Sequence, residues 1–206
     1  MSPRRSPQPS ERQRDPERTR AAILDAAVAE FAAHGFAGAR IAAIAARAGV
    51  NQQLISYYFD GKEGLYQALS EAWRDRDGDL AATATTPAEQ VRRYALEALH
   101  NADAVRLMAW GGLEYSGPAS DADHRPRAER LQRSVDELKA LQADGKLSAD
   151  LDPGCLLIAL MAAAMAPVTL PHVVEGLLGV DARSPEFLTH YADQLALLAN
   201  TLGLAD

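Results

Sequence analysis

The sequence predicts an all-α chain, with an N-terminal three-helix domain built around a helix-turn-helix and a longer helical domain after it. Three observations predict this. Alanine is abundant, aromatic residues make up only 6%, and β-branched runs are rare, a composition that favours helix over strand. Apolar residues recur at three- and four-residue spacing, with no strand pattern and no internal repeat. Glycines, prolines and capping residues fall where such helices must begin and end. With 206 residues, 48% of them apolar, the chain is long enough for a sizeable core.

Residues 1–16 are rich in proline, serine and arginine and carry no apolar anchor, so they read as a disordered basic arm. Arg4, Arg5, Arg12 and Arg14 suit phosphates or a minor groove there, or simply keep a tail solvated. The first helix is expected over 17–34, with Ile23, Leu24, Ala27, Val28 and Phe31 as its buried stripe and Gly35 ending it. The second is expected over 40–47 and the third over 51–58. Asp60 and Glu63 have the spacing of a capping box for a fourth helix over 62–79.

A break at 83–87 follows. Thr86, Pro87 and Glu89 then have the pattern of a capped start for a helix to about 101. Another helix covers 103–115, with Leu107, Trp110, Gly111 and Glu114 on one side. Residues 116–126 form a loop. A helix over 126–143 buries Leu131, Val135, Leu138 and Leu141, and 145–152 connects it to an almost wholly apolar helix over 153–166. Pro167 and Pro171 break the chain after that. A short helix over 171–178 follows, then a last one over 185–202 started by Ser184 and Pro185.

The segment GFAGARIAAIAARAGVNQQLISYYFDGKEGL, residues 35–65, carries the most information. Ile41, Ile44, Ala45 and Ala48 make one buried helical face. Gly49 permits the left-handed turn that reverses the chain. Leu54, Ile55, Tyr58 and Phe59 anchor the next helix. Between these anchors Asn51, Gln52, Gln53, Ser56 and Tyr57 hydrogen-bond without carrying charge, which suits base edges and phosphate oxygens in a major groove. The amides pair bidentately with adenine, the hydroxyls of Tyr57 and Tyr58 suit phosphates, and Leu54 is placed to touch a thymine methyl.

Gly35-Phe36, Ile44-Ala45, Ala48-Gly49-Val50, Tyr58-Phe59 and Lys62-Glu63 with Leu65 together resemble the DNA-binding domain of TetR/AcrR-type transcriptional regulators. The resemblance is dense over 18–70. It implies operator DNA as partner, a DNA-binding domain over 17–66, and a domain over 67–206 that dimerises through the last two long helices and binds an unknown small-molecule effector. It also places Lys62 at a backbone phosphate. The connector at 145–152 resembles the loop before the penultimate long helix of the same family. The fourth helix is expected to couple the domains, and repression is the output the family implies.

Four positions depart from the family pattern. Ala39 and Arg40 stand where threonine or serine usually opens the second helix, so the cap is lost, although Arg40 still suits a phosphate. Gln53 stands where glycine or proline is frequent, and Ser56 where tyrosine is usual.

The net charge of −7 is unevenly spread. Residues 1–66 hold nine Lys/Arg and seven Asp/Glu, whereas 67–206 hold twelve and 21, so only the helix-turn-helix half suits a polyanion. The uncharged run 155–174 has the length of a membrane span, but Pro167, Thr169, Pro171 and His172 interrupt it. A helix apolar on all faces between two subunits is the expected alternative, and no membrane partner is expected.

Candidate effector contacts are Met108, Trp110, Glu114, Tyr115, Met161, Met165 and His172, which offer broad apolar surface with few polar groups. Glu114, set beside Trp110, Leu113 and Tyr115, is costly to bury unpaired, so a cationic ligand or an arginine such as Arg106 is expected there.

No enzyme, cofactor or metal site is expected. His34, His100, His124, His172 and His190 lack ligand spacing, Asp121, Asp123 and His124 sit in an acidic loop, and no nucleophile elbow, phosphate loop or dinucleotide fingerprint occurs. Cys155 is the single cysteine, so no intramolecular disulfide forms. The charged N-terminus lacks the apolar core of a signal peptide, and the expected compartment is the cytoplasm.

Overall fold

Helix α1, Pro9–Gly38, presents Ile23, Ala27 and Phe31 at four-residue spacing, and all three are fully buried. A computed structural model, which describes residues 9–83, 86–118 and 124–204, is mostly helical, with no strand among the described residues. The further helices are α2 (Ile41–Ala48), α3 (Gln52–Phe59), α4 (Gly61–Thr83), α5 (Pro87–His100), α6 (Ala102–Leu113), α7 (His124–Ala143), α8 (Pro153–Thr169), α9 (Pro171–Leu178) and α10 (Pro185–Thr201). The chain divides into two compact units, Met1–Ala72 and Trp73–Asp206.

The first unit is organised by Ile23, Phe31, Ile44, Ile55 and Leu65, one or two from each of α1 to α4 and all at zero exposure. Each such side chain contributes about 1.5–3 kcal/mol by burial. Phe31, Phe36 and Tyr66 add an aromatic trio with centroids 5.2–6.0 Å apart. Gly35 interrupts α1 with φ 67° and ψ 178°, where the sequence predicts its end.

α1 starts earlier than expected. Pro9 occupies its first position, where a missing N–H costs nothing, and the glutamate, glutamine and arginines that follow are good helix formers. Residues 9–16 are therefore helical rather than an unstructured arm. Arg4 and Arg5 lie outside the described residues, as do the side chains of Arg12 and Arg14.

The Asp60 capping box does not form. Asp60 takes a left-handed conformation (φ 56°) and closes α3 through its N–H to the Ser56 carbonyl, whereas an N-cap needs extended backbone. Thr86 does cap α5, accepting from the Glu89 N–H at 3.1 Å. The Glu89 carboxylate pairs with Arg93 at 2.8 Å.

In the second unit α5 packs along α10 and against α8. Ala88 and Ala95 on α5 and Ala192 and Ala199 on α10 are buried. Their seven-residue spacing puts small side chains in line on both helices. α8 buries Leu156, Leu160, Ala164 and Pro167, while Ile158 on another face is 70% exposed. Of the stripe predicted for α7, Leu138 is buried and Leu131, Val135 and Leu141 are half-buried.

Pro167 was expected to end α8, yet the helix continues to Thr169. A proline in a helix leaves the carbonyl four residues earlier without its N–H donor. That carbonyl belongs to Ala163, and the Tyr191 hydroxyl of α10 donates to it at 2.9 Å. Burial raises the Tyr191 pKa above the ordinary phenol value, which keeps the donor protonated.

Tyr191→Phe should therefore lower stability by about 1 kcal/mol, the cost of a partly buried acceptor left without its donor, in urea unfolding. In a Pro167→Ala background, where residue 167 regains its own N–H, the same change should cost markedly less. The Tyr191 contribution should also fade as pH rises through its elevated pKa, since only the protonated phenol donates.

Candidate nucleic-acid interface

The turn between α2 and α3 is built as its sequence demands. Gly49 takes the left-handed conformation (φ 70°) and its N–H reaches the Ala45 and Ala46 carbonyls. Val50 follows, donating to the Ala45 carbonyl at 3.0 Å. Asn51 is extended, and its Oδ1 accepts from the Leu54 N–H at 3.0 Å, so Asn51 is the N-cap of α3. Ile55 and Phe59 turn inward and are buried. Gln52, Gln53, Ser56 and Tyr57 are exposed, Tyr57 to 80%, while Leu54 and Tyr58 are half-buried. A shallow open notch runs from Ala42, Ala45, Ala46 and Val50 to the first turn of α3.

Gly64 seats the next helix. A Cβ there would lie 1.8 Å from the Phe59 carbonyl oxygen, so α4 can begin this close to the end of α3 only because residue 64 lacks a side chain.

The missing cap of α2 is replaced from another helix. Arg40 is its N-cap residue, extended, with no side-chain cap bond. The Arg40 N–H instead donates to Glu30 Oε1 on α1 at 3.2 Å. Glu30 is 5% exposed, and its other oxygen lies 4.0 Å from His34 Nε2. A carboxylate at a helix N-terminus is favoured by the exposed N–H groups and the helix dipole. The Arg40 side chain is left exposed at the surface. Sequence reasoning missed Glu30, although a glutamate inside the apolar stripe of α1 was its signal.

Lys62 lies at the joint between α1 and α2. Its Nζ donates to the Ala37 carbonyl at 3.2 Å and sits 4.8 Å from the Phe36 ring centroid, a cation–π geometry. Arg20 of α1 lies likewise 5.0 Å over the Phe59 ring. Both cations fasten the helices of this unit.

The seven candidate effector residues all fall in the second unit. Met108 and Trp110 are on α6, with Glu114 and Tyr115 just past its end. Met161 and Met165 are on α8, and His172 is on α9. α6 packs against α8. Met165 is half-buried and the other six are exposed. Glu114 is thus not enclosed by apolar neighbours. α6 ends at Leu113, and Glu114 is its exposed C-cap. Arg106 pairs with Asp103 at 3.5 Å.

Among the described residues no cluster of three or more His, Cys, Asp or Glu could hold a metal ion. His124 opens α7, while Asp121 and Asp123 lie outside the described residues. Among those residues no single helix is long and apolar enough to cross a membrane, and α8 with α9 reaches that length only as a pair bent by 79°.

Comparison with known proteins matches this architecture. Residues 23–69 match the family model for bacterial regulatory proteins of the tetR family, and residues 87–186 match a tetracyclin repressor-like C-terminal domain. The HTH-type transcriptional repressor SCO4008 of Streptomyces coelicolor is 36% identical over 170 residues, spanning 81% of this chain and 86% of that protein. The HTH-type transcriptional regulator BetI of Burkholderia mallei is 28% identical over 119 residues, 55% of this chain and 60% of BetI. The crystal structure of the regulator SCO4942 of Streptomyces coelicolor superposes with a TM-score of 0.71 at 26% identity, covering 90% of this chain and 99% of that one.

Glu30→Ala should destabilise the first unit by about 1–2 kcal/mol, the usual cost of a lost N-cap. Hydrogen exchange should speed up first at the amide of residue 40. Glu30→Gln, which keeps an acceptor oxygen, should recover most of the loss.

Proposed function

The chain belongs to the TetR family of bacterial transcriptional regulators, and on that premise we propose that it is a repressor that binds a near-palindromic operator as a homodimer in the cytoplasm. The observation that carries the reading is the outer face of α3. Gln52, Gln53, Ser56 and Tyr57 are exposed on a short helix whose inner edge is locked into the core. That is the geometry by which a recognition helix presents side chains to base edges. Gln52 and Gln53 read bases. Arg40, Tyr57, Tyr58 and the free donors of Lys62 hold phosphates, with Asn51, Leu54 and Ser56 close to the duplex.

Support for the homodimer comes from apolar surface on the last two long helices. Ile158 of α8 and Leu197 and Leu198 of α10 are exposed, at 70%, 55% and 49%. A second copy covers such a surface, and two-fold symmetry then offers two reading heads to successive major grooves, about 34 Å apart. An effector acts by preferring a helix arrangement that spoils this spacing. Its contacts are Met108, Trp110, Glu114, Tyr115, Met161, Met165 and His172.

The exposure of six of these seven residues favours a second reading, a DNA-binding dimer without effector control. A thermal-shift screen against operator binding separates the two. Effector control predicts a compound that raises the melting temperature and releases DNA.

Gln52→Ala should relax base preference at one position of each half-site, whereas Arg40→Ala and Tyr57→Ala should weaken binding to every sequence. Arg40→Ala should also reduce the dependence of log Kd on log salt by about one. Titrations on a duplex panel at several salt concentrations check both. The double change Ile158→Glu with Leu197→Glu should yield a folded monomer by sedimentation whose operator affinity falls by roughly a hundredfold or more, since linkage of the two heads is lost.

A further inference from the structure

Resting on the DNA-binding reading above, we infer that the reading head selects A·T pairs. Gln52 or Gln53 pairs with adenine, and the C5-methyl group of a thymine seats in the notch walled by Ala42, Ala46 and Val50. The first observation is the commitment of Asn51. Its carbonyl oxygen accepts the Leu54 N–H at 3.0 Å. A bidentate adenine contact needs that oxygen for the N6 amino group and the amide nitrogen for N7. Asn51 therefore caps, and reading passes to the two glutamines, both exposed in the first turn of α3.

The second observation is the charge pattern. Residues 48–59 contain no lysine, arginine, aspartate or glutamate. Guanine is most often read by arginine or lysine at O6 and N7, and cytosine N4 by a carboxylate. Neither type is present on α3. The cations are set to the sides, with Arg40 and Arg47 exposed on α2. A cationic rim around an uncharged floor complements phosphates flanking uncharged base edges.

The third observation is the notch itself, which lies beside Gln52 and Gln53. Its walls of Ala42, Ala46 and Val50 present methyl groups. Thymine alone offers a methyl group in the major groove. Cytosine carries only a hydrogen at C5 and would leave such a notch unfilled.

The test uses the full chain. In-vitro selection supplies a preferred duplex. Variants of that duplex then carry uracil for thymine, or 7-deazaadenine for adenine, one position at a time. The expected result is an A·T-rich half-site core with one thymine whose methyl loss weakens binding about three- to fivefold. That sensitivity should disappear in Val50→Thr, which keeps the shape of the side chain but places a hydroxyl in the notch. Sensitivity to 7-deazaadenine should disappear in Gln52→Ala or Gln53→Ala. A selected core of G·C pairs, or uracil tolerated at every position while sequence-specific binding persists, overturns the inference and leaves the DNA-binding reading standing. A chain that selects no sequence at low salt overturns both.

Discussion

α3 has only eight residues, and helices that short are marginal in water on their own. It is helical because Ile55 and Phe59, one turn apart, are buried against the first unit. The rest of the interface depends on that burial. With the inner edge fixed, helical geometry sends Gln52, Gln53, Ser56 and Tyr57 outward, and a rotation of α3 would expose the two apolar anchors. Gly64 adds a second restraint, since the first turn of α4 meets the Phe59 carbonyl. The polar face is therefore presented by a rigid element rather than by a loop.

Backbone groups left over by the helices are answered from elsewhere in the fold. The N–H of Arg40 finds Glu30 on α1. The Ala163 carbonyl, abandoned by Pro167, finds Tyr191 on α10. The Ala37 carbonyl finds Lys62 on α4. In each case a side chain of one element satisfies a main-chain group on another. The Glu30 and Tyr191 bonds are partly buried and the Lys62 bond is exposed, and all three tie neighbouring helices together.

The parts legible from sequence were those governed by local rules. Apolar spacing and glycine placed α2, the turn at Gly49 and α3 to within a residue. Thr86 and Ser184 cap α5 and α10, as side-chain oxygens ahead of apolar runs usually do. What escaped depended on a distant partner or on backbone geometry that spacing does not show. Pro167 read as a helix end because its donor substitute lies 24 residues further on. Asp60 read as a cap because spacing cannot reveal a left-handed backbone. Glu114 read as enclosed because periodicity along α6 does not show where that helix stops. The face of α3 was legible, but the diversion of Asn51 to capping needed coordinates.

The second unit keeps much apolar surface uncovered. α9 buries no residue, and Leu177 is 78% exposed, beyond the Ile158 and Leu197 surface assigned to a second copy. In the proposed homodimer, two-fold symmetry would turn one reading head into two. Hydroxyl-radical footprinting together with 7-deazapurine interference mapping of a selected duplex tests this most directly. The account predicts two protected major-groove patches on one face of the DNA, about one helical turn apart. A single patch, or protection confined to the minor groove, would contradict it.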